Sequence, residues 1–383
     1  MNLAAAKNWR TVKLGDVGRV ITGKTPSKDN PEDWGSVGVP FITPTDIADS
    51  SMFCKPQRHL SPAGAERFKN LIVPNRAICY TCIASVGKMC LASEPSLTNQ
   101  QINSVIVDET KADHLFVFYL LRFLTPELMA IAGGTTTSII NKGQFENFEI
   151  SIPESIDEQR EIAGVLGCLD DKIELLRKEN KTLESIAQTL FKEWFVDFRF
   201  PNATGRMIDS ELGRIPEGWL VGKLGEVAEI TSGKRPSEIS EKQNIDFQYP
   251  LLGASSVMGY VNDFLFDQEV FVIGRVGTHG LIQRFSEKIW PSDNTLVLYS
   301  KYPEYLYQIL RTINFELLNK GAVQPLITQG DMKAFEIFLP KEEVLFGFEN
   351  IAEALSLKIK NNNSEIKTLS RLRDELLNKI FGV

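Results

Sequence analysis

The chain carries one sequence frame twice, and that repeat limits what it can fold into. Trp9, Lys13, Leu14 and Gly15 lead into Thr22-Gly23-Lys24-Thr25-Pro26-Ser27. Trp219, Lys223, Leu224 and Gly225 lead, at one constant interval, into Ser232-Gly233-Lys234-Arg235-Pro236-Ser237. The register holds as far as Pro40-Phe41 against Pro250-Leu251. A later block matches at a shorter interval, Phe148, Ile150 and Pro153 answering to Phe335, Ile337 and Pro340. A third pairs Lys172-Ile173 and Lys181-Thr182-Leu183 with Lys358-Ile359 and Lys367-Thr368-Leu369. The interval shrinks because the second copy has lost residues from its middle, where the copies are least alike. Such self-similarity marks repeated structural units, and like frames around unlike middles imply one scaffold presenting two recognition surfaces.

Each copy ends in a long helical pattern. Over 157–196, Ser155 or Asp157 suits the N-cap, Glu158 and Glu161 follow, and no proline interrupts. Gly164 and Gly167 predict a bend near Cys168. Apolar positions fall at Ile162, Leu166, Leu169, Ile173, Leu176, Asn180, Leu183, Ala187, Leu190 and Trp194, the gaps alternating four and three as in a coiled-coil seam. The second copy repeats the ladder at Phe348, Ala352, Leu355, Ile359, Asn362, Ile366, Leu369, Arg373, Leu376 and Ile380. A centred antiparallel pair sets Ile162 against Ile380 and Asn180 against Asn362. A seam asparagine fixes register when its amide meets a partner; the alternative is that both asparagines lie at the seam edge in water. Such helices span about 50 Å, equivalent to about 15 base pairs of duplex, and so suit a ruler.

The fold class expected is α+β: two similar globular domains joined by two long helices in an antiparallel coiled coil, a pseudo-two-fold internal repeat. The domains are placed at 1–156 and 219–344, the helices at 157–197 and 345–383, and a Pro- and Gly-containing linker at 198–218. Within the globular parts, β-rich runs at 76–85, 104–107, 270–273 and 295–298 alternate with helical stretches at 114–124 and 304–318. A composition of 43% hydrophobic and 24% charged residues is that of an ordinary globular protein. No apolar run reaches the roughly 20 residues of a membrane span, and MNLAAAKNWR is too short in apolar residues for a signal peptide. With five cysteines, an odd count, the expectation is reduced thiols in the cytoplasm. The net charge of −7 includes no polybasic tail. That argues against strong nonspecific binding of nucleic acid, but not against a local basic face making base-edge contacts.

Several patterns resemble catalytic motifs and fail on context. Residues 18–25 fit the P-loop string, but Pro26 and Asp29-Asn30-Pro31 forbid the helix that must start at the lysine. The better reading is a tight glycine turn with an exposed lysine, kept in both copies. Cys79 and Cys82 lack a second close pair and have no counterpart in the second copy, so no metal is assigned. The three histidines do not recur between copies, and neither a G-x-S-x-G elbow nor a G-x-G-x-x-G fingerprint is present. No catalytic residue is therefore assigned.

What remains is polar loop chemistry suited to phosphates and base edges. Candidate DNA contacts in the first copy are Lys24, Thr25, Thr43, Thr45, Lys88, Asn99, Gln100, Thr135 and Thr136. In the second they are Lys234, Arg235, Arg275, Thr278, His279, Asn294 and Gln324. Asn and Gln match adenine edges, Arg and Lys match guanine, and Thr meets either or the thymine methyl. The plain alternative is that these are ordinary solvated loops.

Four features in order carry a family resemblance: Trp9 to Asp16 with Thr22-Gly23-Lys24-Thr25-Pro26; Ile150-Ser151-Ile152-Pro153 running into Glu158-Gln159; Trp194-Phe195-Val196-Asp197-Phe198 through Ser210-Glu211-Leu212-Gly213 to Ile215-Pro216-Glu217-Gly218-Trp219; and the duplication itself. The chain resembles, over essentially its whole length, the specificity subunits (HsdS) of type I restriction-modification systems. The resemblance implies a non-catalytic subunit with two target recognition domains, each reading half of a bipartite site in double-stranded DNA, and a helix pair that sets the spacer. It also implies docking of two methyltransferase (modification) subunits and recruitment of restriction/translocase subunits. Those partners, not this chain, are expected to hold S-adenosylmethionine, ATP and magnesium. The second copy departs from the frame at Phe346-Gly347-Phe348, where the first has Gln159-Arg160-Glu161. A structural adaptor joining two protein partners without DNA, or an orphan specificity subunit, are the alternatives.

Overall fold

The computed structural model describes residues 8–48, 51–133, 138–275, 280–318 and 326–382. The chain divides into two compact units, Met1–Lys178 with Asn362–Val383, and Glu179–Asn361. The helices Ile156–Phe191 and Glu342–Phe381 each contribute a stretch to both units.

In the first unit Trp9–Lys13 pairs antiparallel with Glu149–Pro153. An antiparallel sheet follows in the order Gly18–Thr22, Ile102–Val107, Ile78–Thr81, Met89–Leu91. A second sheet runs Trp34–Gly35, Arg58–Leu60, Val39–Ile42, Leu97–Thr98, its last pair parallel. Helix His114–Phe123 starts at Asp113, whose carboxylate accepts from Phe116 N (2.8 Å). Nearly every side chain of that helix enters the core, where Phe116, Phe118 and Leu121 meet Ile78, Tyr80, Ile162 and Leu166. Leu377 and Ile380 from the C-terminal helix complete the cluster. Burial of this kind contributes about 1.5–3 kcal/mol per large apolar side chain.

The second unit repeats this order. Leu220–Lys223 pairs with Glu336–Leu339. The four-stranded sheet is Glu229–Ser232, Thr295–Tyr299, Val270–Gly274, Ile282–Phe285, and the smaller one Val257–Val261, Tyr249–Leu252, Trp290–Pro291, again ending in a parallel pair. Corresponding local bonds recur: Leu14 N donates to Phe148 O (2.9 Å) and Leu224 N to Phe335 O (2.8 Å). The duplication in sequence is thus a duplication in topology, the fold is α+β, and most of the lost residues come from the stretch around the smaller sheet. Between the copies, Met207–Ser210 and Gly213–Pro216 form a hairpin.

One expectation is corrected in detail. Helix Pro303–Thr312 stops short of Leu318. Ile313 is extended, Thr312 Oγ1 donates back to Ile309 O (2.7 Å), and Asn314 Oδ1 opens a turn by accepting from Glu316 N (3.1 Å). The helix is continuous through Gly164 and Gly167, and a Cβ on Gly167 would stand 3.2 Å from Leu115 Cδ2, so this glycine serves close packing. The central helix runs on to Val196 as expected, its last turn, Lys192–Val196, widened and closed by Asp197 N to Lys192 O (2.8 Å).

Within each unit the two helical stretches run antiparallel. In the first, Asp170 meets Arg373 (2.6 Å) and Lys172 meets Glu365 (3.4 Å). In the second, Glu179 meets Lys358 (3.5 Å), and Phe191 and Trp194 meet Phe348 (ring centroids 6.1 Å apart in each case). Every rung of both predicted ladders is buried or half-buried. Asn180 and Asn362, at 9% and 1% exposure, are not in water at a seam edge. At the point of sequence departure, Gly347 lies so close to the Trp194 ring that a Cβ there would stand 3.5 Å from it, and Phe348 is fully buried.

Each unit also ties its globular helix to a long one through a buried polar clasp. Gln159 Oε1 accepts from Asp113 N (2.9 Å) and its Nε2 donates to Pro153 O (2.8 Å). In the second unit the clasp is a carboxylate: Glu349 accepts from Glu304 N (2.8 Å) and Tyr305 N (3.2 Å) at the start of helix Pro303–Thr312. Burial pushes the Glu349 carboxyl up to about 7, against the pull of those two N–H groups.

Candidate nucleic-acid interface

In both units the glycine-lysine turn is stitched to a second turn by the same set of backbone bonds. Gly23 N donates to Ile102 O (3.1 Å) and Lys24 N to Thr98 O (2.9 Å); Gly233 N donates to Thr295 O (3.2 Å) and Lys234 N to Pro291 O (2.9 Å). Asn99 N donates to Ile42 O (3.0 Å), and Ser292 N to Leu252 O (2.9 Å). A Cβ on Gly23 would overlap the Thr98 and Asn99 carbonyls, and one on Gly233 the Pro291 and Ser292 carbonyls. That close approach is why glycine stands at both places. No helix starts at Lys24, so the phosphate-loop geometry is not built.

The strand that ends beside these turns completes each site. Cys82 N donates to Gln101 O (2.7 Å) and Ile140 N to Cys82 O (2.9 Å). Arg275 N donates to Asn294 O (2.9 Å) and Ile327 N to Arg275 O (3.1 Å). Cys82 and Arg275 are therefore counterparts, at the same interval that relates Thr98 to Pro291 and Gln101 to Asn294.

These bonds gather the first unit's candidates. Lys24, Thr25 and Gln100 are exposed, and Thr25 Oγ1 donates to Gln100 Oε1 (2.5 Å). Thr43 and Thr45 follow the strand that receives Asn99 N, sharing a hydroxyl bond (2.8 Å), with Thr43 Oγ1 donating to Asp46 (2.6 Å). Asn99 is 7% exposed and its amide closes the turn, Nδ2 to Gln101 Oε1 (3.0 Å) and Oδ1 from Gln101 N (3.0 Å). Lys88 is half-buried on the hairpin beyond Thr81, whose N–H donates to the Lys88 carbonyl (2.9 Å). Thr135 and Thr136 lie outside the described residues.

In the second unit Lys234, Arg235 and Asn294 are exposed and Arg275 is half-buried. Trp290 Nε1 donates to Lys234 O (2.7 Å), pinning the lysine turn. Thr278, His279 and Gln324 lie outside the described residues. Two neighbours escaped the sequence reading: Ser232, whose hydroxyl accepts from Gln329 Nε2 (2.8 Å) and Arg275 Nη1 (3.4 Å), and Gln329 itself. Gln329 sits just after the capping residue Thr328, the counterpart of Asn141, and that shared capping box was a signal available in the sequence.

A family model described as the type I restriction modification DNA specificity domain matches residues 6–185 and 216–372. The chain belongs to that family. Its two matched regions coincide with the two copies of the frame. It is 28% identical to the type I restriction enzyme MjaIX specificity subunit of Methanocaldococcus jannaschii, over 98% of this chain and 93% of that protein. It is also 38% identical to the HindI specificity subunit of Haemophilus influenzae, over 38% of this chain and 32% of that one. The fold is similar to that of the crystal structure of a type I S subunit from M. genitalium (TM-score 0.65, 17% identity), covering 100% of this chain and 98% of that one.

As type I specificity subunits, members of this family are the non-catalytic partners of their systems. The side chains outside the turns agree with structural roles. Cys79, on strand Ile78–Thr81, and Cys82, just past its end, enter different core clusters. Glu109, Asp113 and His114 do approach one another, but Asp113 is already the cap of its helix and His114 Nδ1 lies 2.7 Å from Glu109. Among the described residues no single helix is long and apolar enough to cross a membrane.

Proposed function

We propose that each unit reads one half of a bipartite site in double-stranded DNA, and that the helices set the gap between the halves. The observation that carries this is the repeated pair of turns. In each unit one rigid backbone frame carries an exposed lysine, Lys24 or Lys234, beside side chains that differ between the copies. A shared lysine suits the phosphate backbone, which positions without specifying, and unlike neighbours suit unlike bases. Asn180 and Asn362, both buried, are the residues that hold helix register.

The helices also dock two methyltransferase subunits, which hold S-adenosylmethionine, while restriction/translocase subunits bring ATP and magnesium. Apolar side chains on the long helices that remain open, Val165, Leu175 and Ile186 on one and Phe346, Ile351 and Leu357 on the other, support a docking role. The alternative is an adaptor that joins two proteins without DNA. The test is binding of a labelled duplex library by the chain co-expressed with a type I methyltransferase subunit. Retention of a sequence-enriched duplex fraction that weakens steeply with salt is the expected result. A stable complex that enriches no duplex sequence at any salt favours the adaptor.

A further inference from the structure

We infer that Arg275 recognises a guanine in the half-site of the second unit, an assignment that rests on the DNA-reading role proposed above. Arg275 stands where the first unit has Cys82, as the paired bonds to Asn294 and Gln101, and to Ile327 and Ile140, establish. The two positions differ completely in chemistry. Cys82 is buried and its sulfur receives Asn103 Nδ2 (3.2 Å), closing the site with a neutral wall. Arg275, half-buried, puts a guanidinium there, with Nε 3.5 Å from the Ile327 carbonyl and Nη1 3.4 Å from Ser232 Oγ.

That anchoring separates Arg275 from its cationic neighbours. Lys234 and Arg235 stand exposed on the turn and suit phosphate oxygens, which any sequence presents. Arg275 is held at Nε by a carbonyl and at Nη1 by a hydroxyl, which leaves a second Nη1 hydrogen and Nη2 to donate, and Gln329 fixes that hydroxyl in turn. A planar donor fork fixed by its surroundings matches the adjacent O6 and N7 acceptors of guanine in the major groove, and no other base offers that pair. The first unit has no cation at this position, and its outward groups are Lys24, Thr25 and the Gln100 amide. The two half-sites therefore differ at the base pair that this wall faces.

The experiment compares methylation motifs in cells expressing the natural chain, Arg275→Gln or Arg275→Lys, each with the same methyltransferase. The natural chain is expected to yield a bipartite motif; failure to do so refutes the DNA-reading role itself. Given that motif, Arg275→Gln should lower the preference for one guanine in one half by about ten-fold or more, with the other half unchanged. Arg275→Lys should lower it less, since one donor remains but the fork is lost. Should Arg275→Gln abolish all methylation by misfolding, the lysine variant decides. Unaltered base preferences with uniformly weaker methylation would make Arg275 a phosphate contact and overturn the assignment. So would relaxation at a position that is not G·C.

Discussion

Replacing Arg373 by methionine should loosen the end of the C-terminal helix in the first unit, and the size of the effect follows from the local charges. Arg373 occupies a ladder rung yet is buried, donating to Asp170 (2.6 Å), with Asp374 taking its other edge (2.9 and 3.0 Å). Burial disfavours its charge, and Asp170 more than offsets that, holding the guanidinium above its usual range. Asp170 also receives the Tyr119 hydroxyl (2.8 Å) and has Arg122 at 3.8 Å. Removing one partner of a buried pair typically costs about 3–5 kcal/mol because the other charge is stranded. The donors that remain around Asp170 reduce this to about 2–3 kcal/mol. Hydrogen exchange followed by mass spectrometry reads the effect locally. Peptides over 362–382 should exchange roughly 30- to 150-fold faster, while peptides over 220–340 keep their rates. The companion variant Asp170→Asn with Arg373→Met removes both charges and should recover most of the protection. Unchanged exchange in Arg373→Met, or a double variant no better than the single one, would refute the reasoning.

Other perturbations follow from the same geometry. Gly23→Ala should destabilise the first unit by about 2 kcal/mol through overlap with the Thr98 and Asn99 carbonyls, visible as an earlier melting transition and loss of methylation dependent on one half-site. Glu349 carries a carboxyl raised to about 7 over an unfolded value near 4.5, so its stabilising contribution is full below about pH 4.5 and is lost as pH rises through 7. After allowance for solvent screening, the second unit should lose about 1–2 kcal/mol across that window. Glu349→Gln, which imitates Gln159, should flatten the pH dependence of melting. Phe348→Ala, which empties a fully buried site among Phe191, Trp194 and Phe195, should cost about 3–5 kcal/mol in urea unfolding. Removing one heptad from each long helix should narrow the gap between half-sites by about three base pairs and leave the halves intact; removing one from a single helix should disrupt their pairing.

Much of the scaffold was legible because its signals are periodic or local. The helical ladders obey one spacing rule from end to end, and both glycine turns keep the residue that close backbone approach demands. The buried ion pair was half visible: Arg373 stood on a rung, but Asp170, one residue past Leu169, reads as an ordinary outward position until Tyr119 and Arg122 arrive from another helix. The sites were less legible: Cys82 and Arg275 keep one interval with the turns beside them, but the letters around them have diverged too far to reveal it, and the segment that ends in Ile140 or Ile327 shifted when the second copy shortened. Asn99 shows what composition leaves out: an amide of the expected type in the expected loop also closes its own turn through Gln101. Gln159 and Glu349 show a role passing between unlike residues at unlike positions, because the requirement is a buried acceptor facing a helix start and not a particular letter.

The central claim is that the two copies read two different DNA half-sites at a fixed separation. Single-molecule methylation sequencing of DNA from cells co-expressing this chain with its methyltransferase tests it most directly. Two unlike short motifs separated by a constant gap, methylated together and absent when the chain is omitted, are the predicted result. Methylation at one undivided motif, or the same pattern with and without this chain, would contradict it.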